Sequence, residues 1–151
     1  MFGALAALMV PATASADIYS SGALPDSVGI NSIWVVVAGC LVFFMQAGFA
    51  FLEIGFSRGK NAGTIVAKIL VNLSIAAILY WAVGFALAFG HTDNLVFGTH
   101  GFFLRDYGDP QEAFPVMGLS DATIESKFFF QFVFCAVSLA IVWGTTLERV
   151  K

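Results

Sequence analysis

Charged side chains are scarce in this sequence. Asp, Glu, Lys and Arg make up 11% of the 151 residues, against about 25% in a soluble domain, whose surface must face water. So little charge cannot cover a folded surface, so much of that surface must face something apolar. A lipid bilayer is the simplest candidate. Basic residues are the rarer kind, with 7 Lys and Arg against 10 Asp and Glu and a net charge of −3. That balance argues against a nucleic-acid partner, which needs clustered Lys and Arg to neutralise phosphates. The cysteines, Cys40 and Cys135, each fall within an apolar run. They have no CxxC or metal-ligand spacing and read as small packing residues. A nucleophile motif, a phosphate-binding loop and a metal-ligand set are also missing. The sequence therefore offers no enzyme, no cofactor and no metal site.

Hydrophobic residues, by contrast, reach 59%, with 17 phenylalanines. They gather into three long runs, at about residues 30–56, 62–90 and 127–147. Each is long enough to cross a hydrocarbon core of about 30 Å at 1.5 Å per residue. The expected fold is an all-α integral membrane protein with three transmembrane helices. Asn61 is placed to cap the second of them. The segment between the second and third runs, residues 91–126, is rich in Gly, Asp and Phe and lacks periodicity. It reads as an irregular loop with room for one short helix.

The first sixteen residues form a short apolar run ending in Thr13-Ala14-Ser15-Ala16. The small residues Ala14 and Ala16 fit a signal-peptidase site, so residues 1–16 read as a signal peptide cleaved after Ala16. No Lys or Arg precedes the run, as an export signal requires. The alternatives are a start further upstream or no signal peptide. Residues 17–29 read as a polar lead-in, and residues 17–151 as one membrane domain.

Loop charges set the expected orientation. The turn after the first run carries Arg58 and Lys60 and no acid, and Arg149 and Lys151 follow the third. The 91–126 loop holds Asp93, Asp106, Asp109, Glu112, Asp121 and Glu125 against Arg105. The positive-inside rule then puts the first turn and residue 151 in the cytoplasm and the acidic loop outside. The N-terminus is outside as well, and the expected location is the cell membrane.

Polar groups inside spans need a partner or a purpose. Glu53 lies about four residues before the basic turn, roughly 6 Å deep at 1.5 Å per residue. Lys68 sits at comparable depth on the neighbouring run, so the two are expected to form a structural ion pair; a proton relay through Glu53 is the functional alternative. Small residues four apart, Ala82 with Ala86 and Gly84 with Ala88, predict close helix contacts, as do Gly39, Ala47, Gly48 and Gly55. Within the stretch from Phe128 to Phe134, Phe130 and Phe134 share a helix face at i and i+4. They read either as ordinary packing or as a stripe of aromatic faces for a small cation, worth about 0.5–2 kcal/mol per cation–π contact. Gln131 lies one residue off that stripe. His91 and His100 fall in the outer loop with no supporting ligand cluster and read as exposed.

Three segments resemble the ammonium transporter (Amt/Mep/Rh) superfamily. The first is Phe44-Met45-Gln46-Ala47-Gly48-Phe49-Ala50-Phe51-Leu52-Glu53, continuing to Arg58-Gly59-Lys60-Asn61. The second runs from Trp81 to Gly90. The third joins Phe130-Gln131-x-x-Phe134 to Gly144 and Glu148-Arg149, and is the most specific. The resemblance covers residues 31–151, with Trp143 standing where many members carry a smaller residue. It implies the first part of an eleven-helix fold, a homotrimer with a pore in each subunit, and ammonium or ammonia as substrate. By that resemblance Phe130 belongs to the outer recruitment site, Phe134 is the upper gate phenylalanine and Gln131 lies in the pore region. A cytoplasmic PII-type regulator is implied as a partner. The resemblance reaches only a third span by Lys151, so the chain is expected to be an N-terminal fragment that does not conduct alone. The alternative reading is a three-span ammonium-sensing or accessory membrane subunit.

Overall fold

The computed structural model describes residues 26–92, 96–105 and 113–146. The signal peptide expected over residues 1–16 and the Glu148-Arg149 pair lie outside the described residues. Helix α1 spans Asp26–Phe56. A 3-10 turn, Gly59–Asn61, leads into α2, Ala62–Leu79. A π-helical segment, Tyr80–Gly84, then joins α2 to the short α3, Phe85–Phe89, so that the second span is one rod from Gly59 to Phe89. The third span is α4, Ile124–Thr146. All three spans are long and apolar enough to cross a membrane.

The helices begin where polar residues allow rather than where hydropathy rises. α1 is described from Asp26, ahead of the apolar run expected from about residue 30, and the acid in its first turn suits the positive end of the helix dipole. α4 starts at Ile124 because Thr123 caps it: its Oγ1 accepts from the Ser126 N–H at 3.4 Å. The Thr123 N–H in turn donates to Ser32 Oγ of α1 at 2.9 Å, tying the start of α4 to the N-terminal part of α1. Asn61, expected to cap α2, makes no side-chain cap hydrogen bond. The 3-10 turn takes over that task, with the Ala62 N–H donating to the Gly59 carbonyl.

α1 packs most extensively against α4. Its buried residues include Gly39, Gln46 and Glu53, seven apart on one seam. At Gly39 the fit is closest, since a Cβ there would lie 2.7 Å from the Phe129 ring. On α4 the buried residues Val133, Ala136, Val137 and Ala140 are all small, which lets the rods approach. Gly48 and Gly55, expected to pack likewise, have nothing within 4 Å of a built Cβ. Only 11% of the most apolar window of α1 is buried within the chain. The remaining face is left for lipid or for further helices.

The densest core lies at the end of the bundle away from the Gly59–Asn61 turn. Phe85 and Phe114 are fully buried, their ring centroids 4.9 Å apart, and Tyr80, Ala113, Met117 and Ile124 close around them. The 91–126 loop, expected to be irregular with room for one short helix, carries among its described residues the 3-10 turns Phe102–Leu104 and Met117–Leu119, and these residues fold back over the span ends. The His91 N–H donates to the Ala113 carbonyl at 2.8 Å, and the Gly98 N–H to Leu87 at 3.0 Å. Gly101, Phe103 and Leu104 take positive φ values of 85°, 58° and 51°. That left-handed run is unstrained only at Gly101, whose missing side chain also makes room for the Phe114 ring.

Candidate functional site

The run of phenylalanines at the start of α4 is shared out among neighbours by helical phase. Phe128 and Phe132 turn toward the second span, with Phe128 5.4 Å from Phe85 and 5.8 Å from Tyr80 by ring centroid. Phe129 lies against Gly39 of α1. Phe130 and Phe134 are left on the open side. Their ring centroids are 4.9 Å apart at 54°, so the two make one aromatic patch. Phe134 is 41% exposed and Phe130 half-buried. Gln131, also half-buried, is the next residue round the helix. The structure thus brings Phe130 and Phe134 together and gives them no partner ring from another described helix. Such a patch offers π-faces to a small cation and, deeper in, an apolar constriction that hinders hydrated ions.

At the opposite end of the bundle, the expected ion pair between Glu53 and Lys68 is not made. Both Glu53 carboxylate oxygens are buried with no hydrogen-bond partner among the described residues. The Lys68 Nζ instead sits 4.6 Å above the centre of the Trp143 ring. Glu53 lies against the next residue of α4, where a Cβ on Gly144 would be 3.4 Å from its Oε1. With the Lys68 head group at the indole, where cation–π attraction holds it, Glu53 has no hydrogen-bond donor among the described residues. Lys68 and Trp143 share a groove of about 490 Å³ between the second and third spans, lined also by Asn72, Tyr80 and Gly84. Gln46, two turns deeper than Glu53 on the same seam, also has a buried amide without a hydrogen-bond partner.

Several contributors escape a reading of the sequence. Lys127 is 7% exposed, and its ammonium donates to the carbonyls of Met117 and, at 2.6 Å, Ser120. A lysine at a span boundary reads as a snorkelling cation, and nothing in its spacing names those carbonyls. The π-helical segment at Tyr80–Gly84 leaves no trace in hydropathy; its one clue is Gly84, where a Cβ would sit 2.7 Å from the Tyr80 ring. His91 and His100 are exposed, 5.8 Å apart between ring centroids. Among the described residues no three His, Cys, Asp or Glu side chains converge to hold a metal.

The sequence was compared with known families and proteins. Residues 33–151 match the model of the Ammonium Transporter Family. The chain is 38% identical over 149 residues to ammonium transporter Amt2 of Archaeoglobus fulgidus, covering 97% of this chain and 30% of that protein. It is 36% identical to ammonium transporter 3 of Dictyostelium discoideum, over 81% of this chain and 25% of the relative. Against ammonium transporter Amt1 of Haloferax mediterranei the identity is 35%, over 80% of this chain and 22% of the relative. The chain therefore spans at most about a third of the length of these relatives. With the family model matched over most of its length and three apolar spans in place, this chain belongs to the ammonium transporter family.

Proposed function

We propose that the protein carries ammonium across the cell membrane, with these three spans forming one wall of the route. The observation that carries the reading is the paired face of Phe130 and Phe134, an aromatic patch on the open side of α4 in a member of this family. Ammonium entering bare hydrocarbon faces a penalty of many kcal/mol. Cation–π contact at Phe130 offsets part of it at the outer mouth. The Phe134 ring, one turn deeper, disfavours sodium and potassium because they cross only with their water. Ammonium can shed its proton and pass as ammonia, with the proton travelling separately. Gln131 lies beside this stripe and belongs to the same region of the pore.

The acidic 91–126 loop faces outward in this reading and the Arg58–Lys60 turn faces the cytoplasm. Further helices, arranged in a homotrimer, complete each pore, and a PII-type protein regulates from the cytoplasmic side. These three spans alone do not conduct, since the open side of α4 would meet lipid.

The test is Phe134→Ala in the complete transporter. Uptake of labelled methylammonium, or its discrimination against potassium, changes by roughly tenfold, equivalent to about 1.4 kcal/mol. Assembly, followed by size-exclusion elution in detergent, stays unchanged. Equal transport with unaltered selectivity would remove Phe134 from the gate.

A further inference from the structure

We infer that His91 and His100 bind a divalent cation of the zinc class between their imidazoles. The inference stands apart from the transport reading and uses none of its residues. Both rings are exposed, and their centroids lie 5.8 Å apart. Zinc binds an imidazole nitrogen at about 2.0–2.1 Å, which sets the centres of two rings on one ion about 5–6 Å apart. The observed spacing falls within that range, so one ion reaches both rings after small side-chain rotations.

The backbone makes this pair from residues distant in sequence. The His91 N–H donates to the Ala113 carbonyl at 2.8 Å. The His91 carbonyl accepts from the Thr99 N–H at 2.9 Å and from the Thr99 hydroxyl at 3.3 Å. The Gly98 N–H donates to the Leu87 carbonyl at 3.0 Å, and the Thr92 hydroxyl to the Phe97 carbonyl at 2.7 Å. The His100 carbonyl lies against Gly90, where no Cβ would fit. Both histidine backbones are thereby held beside the end of the second span. Binding an ion then orders two exposed side chains and no main chain, which keeps the entropic cost low. Imidazole suits zinc, copper and nickel, whereas magnesium and calcium take oxygen ligands. Two imidazoles leave positions on the ion for water, so it is exchangeable and not a closed structural centre. A bridging ion fastens the loop ends a second time, beside the Thr99-to-His91 hydrogen bonds, and ties them to the aromatic core through Ala113.

The experiment titrates zinc chloride into the complete transporter, free of any histidine tag, in detergent with magnesium chloride as background. Equilibrium dialysis counts the zinc bound per chain. The wild type binds one zinc more than His91→Ala, and one more than His100→Ala, because a single imidazole does not hold the ion. Both side chains are exposed, so the variants keep the zinc-free melting temperature of the wild type. A second measurement needs no variant: zinc slows amide exchange at Thr99, whose N–H bonds the His91 carbonyl, and magnesium at the same concentration does not. The protein elutes from a size-exclusion column at the same volume with and without zinc, as a site within one chain requires. The inference is overturned if either variant binds as much zinc as the wild type, or if zinc leaves Thr99 exchange unchanged. It is overturned equally if magnesium slows that exchange as zinc does, or if zinc shifts elution to a larger species, which would place the ion between molecules. Transport by Phe134→Ala bears on none of these readings, so the site and the transport proposal stand or fall separately.

Discussion

At the scale of the residue, the most exacting position is Lys127. Its head group is buried, and a buried ammonium persists only where donors find acceptors. Two loop carbonyls, of Met117 and Ser120, supply them. Lys127→Met keeps the stem and removes the donors, stranding both carbonyls under the loop. We expect a loss of about 1–3 kcal/mol, read as a melting temperature lower by a few degrees in the detergent-solubilised protein. Transport at low temperature should survive, because Lys127 faces the loop and not the Phe130–Phe134 patch. The i, i+4 spacing of Phe130 and Phe134 fixes a shared face on any helix, so that much was legible in the sequence, whereas their expected roles came from the family resemblance alone. The partner of Lys68 was not legible. Depth along two rods puts Lys68 level with Glu53, but whether the lysine turns to the carboxylate or to Trp143 depends on how α4 is rotated against α2. One-dimensional spacing carries no information on that rotation.

At the scale of the element, the three spans stand out because apolar runs of this length have no other use in so short a chain. Their ends do not, because hydropathy marks what lies in lipid and not where hydrogen bonding begins. α1 runs out to Asp26 and α4 back to Ile124 through polar residues that stabilise first turns. The Thr123 cap is the clearest case, joining a local bond to Ser126 with a tertiary one to Ser32. Thr123→Ala removes the side-chain acceptor and leaves the backbone donor to Ser32 intact. It should cost about 0.5–1 kcal/mol, seen as faster amide exchange confined to the first turn of α4. A uniform loss of protection across all three spans would contradict a local role. The π-helical segment at Tyr80–Gly84 belongs to the same scale. It widens one turn of the second span beside the aromatic core, and its residues are as apolar as those of a regular helix.

At the scale of the whole molecule, the end that holds Phe85 and Phe114 is a packed aromatic core, and towards the Gly59–Asn61 turn the three rods have open sides. The exposed surface includes Trp34, Leu41, Phe44, Phe51 and Phe56, each more than 65% exposed. Contiguous apolar surface of that kind demands lipid or protein. Expressed as it stands, the chain should remain in the membrane pellet after an alkaline carbonate wash and should need detergent for extraction. Recovery in the aqueous supernatant as a monodisperse species would contradict the membrane reading.

The Lys127 clamp has a consequence for how the third span tolerates change. By fastening the first turn of α4 to a loop that is itself pinned beneath Phe85, it indexes the rotation of everything that follows. Successive rings from Phe128 onward then meet, in order, the second span, the first span and the open flank. Swapping one aromatic for another leaves that order untouched. Adding or deleting a single residue between Lys127 and Phe130 would turn the downstream helix by about 100° and hand each ring its neighbour's task. This short stretch is therefore more forgiving of altered chemistry than of altered length.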